Sequence, residues 1–164
     1  MAANHAPRRR NRGFTLVELI VAMVILATLA AIAIPSYTNY VLKSHRTEAK
    51  SALLDAASLE ERFFSTSNTY TNDPTQLGYS VTTPPVPVGT GYYVISAINV
   101  LPPVAPTPLI PGGTPATFTI TAVPAPGSQQ VNDTACAVFT INSAGQQTAQ
   151  TSGGVDNTAG CWQN

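Results

Sequence analysis

Three patterns of apolar and polar positions follow one another along the 164 residues. From Phe14 to Ile34 the chain reads FTLVELIVAMVILATLAAIAI, apolar on every side of a helix and carrying one charge. Twenty-one helical residues rise about 31 Å, the thickness of a bilayer's hydrocarbon core. This segment is expected to span a membrane. Further on the pattern turns amphipathic. Ala49, Ala52, Leu53, Ala56, Leu59 and Phe63 recur at intervals of three and four, with Lys50, Asp55, Glu60, Glu61 and Arg62 falling mainly between them. The spacing predicts a helix to about Phe64 with one apolar stripe facing a partner, and Ser65, Thr66, Ser67 and Asn68 end it.

The third pattern is a region rich in Thr, Pro, Gly and Asn, residues 67–164, with islands of β-branched and aromatic residues. Gly91–Val100, Ala116–Val123 and Cys136–Asn142 are expected strands. In the second, Phe118, Ile120 and Ala122 alternate with Thr117, Thr119 and Thr121, the signature of a half-buried strand with its apolar side inward. Leu101–Pro115 contains six prolines and reads as an irregular connection, and Tyr79–Gly89 is similarly loop-like. The whole predicts three or four antiparallel strands packed on the amphipathic helix. Pro35 lies between the two helical patterns. Its ring has no N–H to give and meets the carbonyl of Ala31, so the helix either kinks there or stops at Ile34.

Charge changes the picture by its placement. The chain has eight basic and eight acidic residues, a balance that speaks against a bulk polyanion binder. Yet Arg8, Arg9, Arg10 and Arg12 lie within the first twelve positions, and no acid precedes Glu18. Without residues 1–13, four basic side chains face eight acidic ones, a net charge of −4. Lys and Arg beside a span tend to stay cytoplasmic, which places the body of the chain outside the cytoplasm. A cleaved secretory signal is the competing interpretation, with Ala31-Ile32-Ala33 as its cutting site. The length of the apolar run and the acid near its start weigh against it. Outside the cytoplasm Cys136 and Cys161 are free to pair, the alternative being two buried thiols. If paired, they pin the C-terminal region to the sheet.

Glu18 is the residue least expected from its surroundings. An ionised side chain in hydrocarbon costs at least ~2.5–3.5 kcal/mol, so it must be neutralised, paired or brought to an interface. One solution is a snorkelling acid that reaches the headgroups. The other rests on its neighbours. Arg8-Arg9-Arg10-Asn11-Arg12-Gly13-Phe14-Thr15-Leu16-Val17-Glu18, followed by the apolar run, closely resembles the processing site of type IV prepilins. The resemblance implies that a prepilin peptidase at the inner membrane cuts between Gly13 and Phe14. Phe14 then becomes an N-methylated terminus and Glu18 the fifth residue of the mature chain. The Phe14 amine of one subunit would pair with Glu18 of another, each charge being costly to bury alone, so the pair serves as a registration device.

The same resemblance implies an α+β pilin fold. A cleaved leader occupies 1–13, a membrane and assembly helix 14–34, an amphipathic continuation 35–66, and a periplasmic or extracellular head 67–164. A proline at the position of Pro35 belongs to a continuous curved helix in that family, and Ala27 stands where major pilins often carry a glycine. Leu53–Phe64 (LLDAASLEERFF), Asn68-Thr69-Tyr70-Thr71 and the closing Cys161-Trp162 look like PilE-like minor pilins, subunits that prime pilus assembly. The expected partners are other pilin subunits, the peptidase and the inner membrane. The expected location is a single inner-membrane span and then a surface filament of the kind used in adhesion and motility.

Rival functions are weighed on the same residues. Catalysis would have to use His45 with Ser44 and Glu48, and no second imidazole or oxyanion motif accompanies them. His5, His45 and the two cysteines lack metal-ligand spacing, so no metal or cofactor is expected. A DNA-uptake pilin needs cations for phosphates, and the chain has no Lys or Arg after Arg62; nucleic acid is not an expected partner. A type II secretion pseudopilin would end in an acidic calcium loop, whereas here Asp133 and Asp156 accompany the cysteine pair. A major pilin, a type II secretion pseudopilin and a DNA-uptake pilin remain the alternatives. Asn132-Asp133-Thr134 fits a glycosylation sequon, and a plain turn is the simpler interpretation.

Overall fold

The computed structural model describes residues 13–106 and 112–163. Its first element is one helix of 52 residues, α1 (Leu16–Ser67), which passes through Pro35. The interruption at Ile34 is thereby excluded. The chain divides into two units at Asn39/Tyr40. In the first, every described residue is exposed, and the helix is long and apolar enough to cross a membrane.

The second unit is the head. Five antiparallel strands follow in simple meander order: β1 (Val86–Val88), β2 (Tyr93–Leu101), β3 (Thr117–Pro124), β4 (Val138–Asn142) and β5 (Gln147–Gln150). The strand count exceeds the expected three or four because both edge strands are short and weakly patterned. β1 is Val-Pro-Val and falls inside the stretch read as loop, while β5 is Gln-Thr-Ala-Gln with one buried residue, Ala149. A proline is tolerated at an edge, where its missing N–H leaves no ladder bond unmade. β2 carries a bulge between Ile95 and Ala97, which explains why its alternation is irregular in the sequence. β3 keeps strict alternation, with Phe118, Ile120 and Ala122 buried. Of the proline-rich connection, Val104 pairs with Thr114, and residues 107–111 lie outside the described residues.

The core joins the α1 stripe to one face of the sheet. Ala49, Leu53 and Ala56 are fully buried with Tyr93, Ile95, Ile120 and Phe139, and Ala52, Leu59 and Phe63 pack against them. Burying each large apolar side chain is worth about 1.5–3 kcal/mol relative to exposure. A 3-10 turn at Pro74–Leu77 closes the loop after the helix, capped by the Asp73 carboxylate on Thr75 N and ended by Gly78 at φ 92°. The short helix α2 (Thr158–Trp162) returns to β5, where the Trp162 indole N–H donates to Thr148 O.

Candidate functional site

Gly13, Phe14 and Thr15 lead into the helix without regular structure, and Phe14 is 87% exposed. Arg8 to Arg12 lie outside the described residues. A Cβ added to Gly13 would meet no heavy atom within 4 Å, so packing places no demand for glycine there. Glu18 stands in the first turn of α1, exposed, and its backbone N–H donates to Thr15 Oγ1 at 3.2 Å. Thr15-Leu16-Val17-Glu18 is thus a Thr-x-x-Glu helix start, with Thr15 as the cap and an acid where the helix dipole favours one. That spacing is written in the sequence, masked by the apolar run around it.

Beyond Glu18 the helix is a cylinder of exposed apolar residues, with Leu19, Ile20, Val24, Leu26, Leu29 and Ile34 each more than half exposed. Within the helix Pro35 leaves the Ala31 carbonyl without its usual donor, and Thr38 Oγ1 donates to Pro35 O at 2.9 Å. So large an exposed apolar surface marks contact with lipid or other chains.

The disulfide Cys136–Cys161 is formed, with an S–S distance of 2.00 Å and Cα atoms 5.8 Å apart. It does not hold the C-terminal region alone. Arg46 on α1 donates through Nε and Nη2 to both carboxylate oxygens of Asp133, at 2.7 and 2.8 Å, with both side chains buried. Gln130 Nε2 lies 3.1 Å from Asp133 Oδ2, 2.9 Å from the Tyr93 hydroxyl oxygen and 3.1 Å from Leu42 O. Lys50 Nζ donates to Trp162 O at 3.1 Å; burial and then Arg46 lower its pKa. The helix α1, the 3-10 turn Gln129–Asn132 and α2 are thereby clasped around a forked, charge-assisted pair. No sequence signal near Arg46 pointed to Asp133, 87 positions away.

His45 and Glu48 are engaged in structural contacts. His45 stacks on Tyr92 with ring centres 3.6 Å apart. Glu48 accepts from Thr90 Oγ1 at 2.5 Å and from the backbone N–H groups of Gly91 and Tyr92. Burial acts to raise its pKa, but these bonds prevail and hold it below the usual value. The carboxylate therefore braces the turn between β1 and β2. Gly89 in that turn has φ 52°, and a Cβ there would come within 2.6 Å of the Glu48 side chain, so here glycine is required.

An exposed apolar helix that runs on into the scaffold of an antiparallel, disulfide-closed head defines a subunit of the pilin class. A family model described as "Prokaryotic N-terminal methylation motif" matches residues 8–34, and one described as "Type IV minor pilin ComP, DNA uptake sequence receptor" matches residues 35–140. The chain belongs to this family of type IV pilins, which are structural proteins of fimbriae. It is 38% identical over 71 residues to the type IV major pilin protein PilA of Myxococcus xanthus, covering 43% of this chain and 32% of the relative. It is 40% identical over 64 residues to the type IV major fimbrial protein FimA of Dichelobacter nodosus, covering 32% and 40%. Over 39 residues it is 51% identical to the prepilin peptidase-dependent protein D of Escherichia coli, covering 24% and 27%. The alignments thus span 40% or less of each of these curated relatives.

Proposed function

We propose that the chain is a minor subunit of a type IV pilus, made competent for assembly when a prepilin peptidase cuts between Gly13 and Phe14. The observation that carries this reading is the exposed apolar helix with a single acid, Glu18, five residues beyond a glycine that packing does not require. The cut removes the arginine-rich leader and creates an amine, N-methylated on Phe14, at the start of the helix. Inside a filament the amine of one subunit pairs with Glu18 of another, and both charges leave water together, so the pair fixes register more than it adds stability. The prior location is a single inner-membrane span with the head outside the cytoplasm, held so by the leader's arginines. Pro35 allows the helix to bend where it leaves the membrane. The minor assignment rests on the resemblance of 53–64 and of the Cys161-Trp162 ending, and on the description of the matching family.

The experiment is Glu18→Ala expressed in pilus-forming cells lacking the wild-type chain. The variant is expected to insert and be processed normally but to disappear from sheared pili. Wild-type incorporation of the variant would contradict the pairing role.

The family's description favours a second reading, reception of DNA. Phosphate binding needs Lys and Arg, and each neutralised phosphate contributes to the salt dependence of affinity. After Arg62 the head has none, Arg46 is spent on Asp133 and Lys50 donates to Trp162 O, which leaves Lys43 and Arg62 as its two exposed cations. We therefore propose that the head does not retain DNA electrostatically. A gel shift with the purified mature chain at low salt should show free DNA at micromolar protein; retention that falls steeply with salt would favour the receptor.

A further inference from the structure

Glu60 occupies a place on the apolar stripe of α1. It lies four residues after Ala56 and seven after Leu53, and like them it is fully buried. Its Oε2 accepts the backbone N–H of Thr71 at 3.1 Å, while Oε1 is buried with no hydrogen-bond partner among the described residues. A buried carboxylate oxygen without a donor is expensive when charged and less so when it carries a proton.

The groups that face Glu60 give the charge no help. On its own helix the neighbour is Glu61, and from the loop after the helix come the hydroxyls of Tyr70 and Tyr79, with Asp55 acting on Tyr79 in turn. None of these is a cation. Polar bonds to two adjacent acids fasten the loop to the helix here, Thr71 N–H to Glu60 and the Tyr70 hydroxyl to Glu61 Oε1 at 2.9 Å, and at the helix end Asn68 N–H donates to Phe64 O at 2.8 Å. Tyr70 also stacks on Phe64 and meets Phe118 edge-on, with ring centres 4.7 and 4.8 Å apart. The fastening therefore joins α1, the loop and β3.

We propose that Glu60 is a proton-dependent latch for the loop Asn68–Tyr79. Protonated on Oε1, the carboxyl stays in the core and holds Thr71 through Oε2. When the proton leaves, the anion can reach water only if the loop lifts from the helix, and the surface formed by Asn68–Tyr79 loosens. In accord with this geometry, burial, with the Glu61 charge as a lesser cause, outweighs the Thr71 bond and moves the Glu60 pKa up to about 7. The latch thus works near neutral pH, closed on the acid side and released on the alkaline side. It does not depend on the filament reading, since it resides in the head.

Amide hydrogen exchange on the full chain in detergent micelles at pH 5.5 to 8.5, corrected for intrinsic rates, tests it. In the wild type, protection of peptides covering Asn68–Tyr79 should fall at least tenfold over that range. In Glu60→Gln it should stay within twofold, and β3–β4 peptides should stay constant in both. Flat protection in the wild-type loop, or a parallel fall in the variant, would overturn the proposal. Carbon-13 titration of the wild-type Glu60 carboxyl needs no variant. A midpoint near 7 is expected, and one in the ordinary carboxylate range would overturn the latch.

Discussion

The two halves of α1 invert the usual relation between composition and burial. Up to Asn39 the helix is almost purely apolar and every residue is exposed; from Tyr40 it is rich in charge, yet Arg46 and Glu60 are buried there with Ala49, Leu53 and Ala56. The first half is an interface awaiting other molecules, and the second has already found its partner in the sheet. Each half carries one misplaced acid. Glu18 is a charge in an apolar segment that stays exposed, and Glu60 a charge in a polar segment that is buried without a cation. Hydrophobicity alone tells where a helix can be buried; only periodicity, matched to a partner face, tells which residues will be.

That contrast can be attacked by paired substitutions, beginning with the largest effects. Removing Asp133 as Asp133→Ala leaves Arg46 charged in the core and should destabilise the head by ~3–5 kcal/mol. Arg46→Leu combined with Asp133→Leu should recover much of that loss. Thermal unfolding of the full chain in detergent measures both, and a double variant no better than the single one would deny that the lone charge is the cause. Leu53→Ala should cost about 2–5 kcal/mol, whereas Leu26→Ala, the same change on the exposed half, should leave head unfolding within ~0.5 kcal/mol. Equal effects of the two would erase the distinction between the halves.

Reducing or deleting the Cys136–Cys161 bridge should lower stability by about 3 kcal/mol for a loop of this separation. The Arg46–Asp133 clasp should keep the C-terminal region docked, which a Trp162 fluorescence spectrum close to the oxidised form would register. A red shift to the fully exposed emission would show that the disulfide alone holds it.

The smallest expected effect is one of pH. Glu60 has its pKa raised from 4.5 to about 7 in the folded state, so the folded head binds the proton more tightly than the unfolded chain does. Its contribution is therefore complete below about 4.5 and is lost as pH rises through about 7. The loss is on the order of 2–3 kcal/mol. Unfolding midpoints at pH 5 and pH 8 should differ more in the wild type than in Glu60→Gln, and an equal difference would remove Glu60 from the account.

Much of this organisation was legible in the chain, and for identifiable reasons. The apolar run is a signal of length, the stripe from Ala49 to Phe63 and the alternation around Ile120 are periodic signals, and each produced the element it predicts. The edge strands escaped because Val86-Pro87-Val88 contains a residue that strands disfavour and Gln147–Gln150 offers one apolar position. Arg46 and Glu60 were legible in principle: with Ala49, Leu53 and Ala56 they recur at steps of three and four. Its charge disguised Glu60 as a solvent-facing flank, and Arg46 lies before the first apolar position of the stripe. Asp133 could not be found from the sequence, because its partner is fixed by how the C-terminal region folds back on α1, and no local pattern records that.

The central claim is that this pilin enters filaments only after a cut at Gly13/Phe14, and intact-mass analysis of the chain recovered from sheared pili tests it most directly. A mass corresponding to a chain that begins at Phe14 and carries one added methyl group is the expected result. A mass that retains the arginine leader, or one showing trimming beyond Ala33, would contradict it.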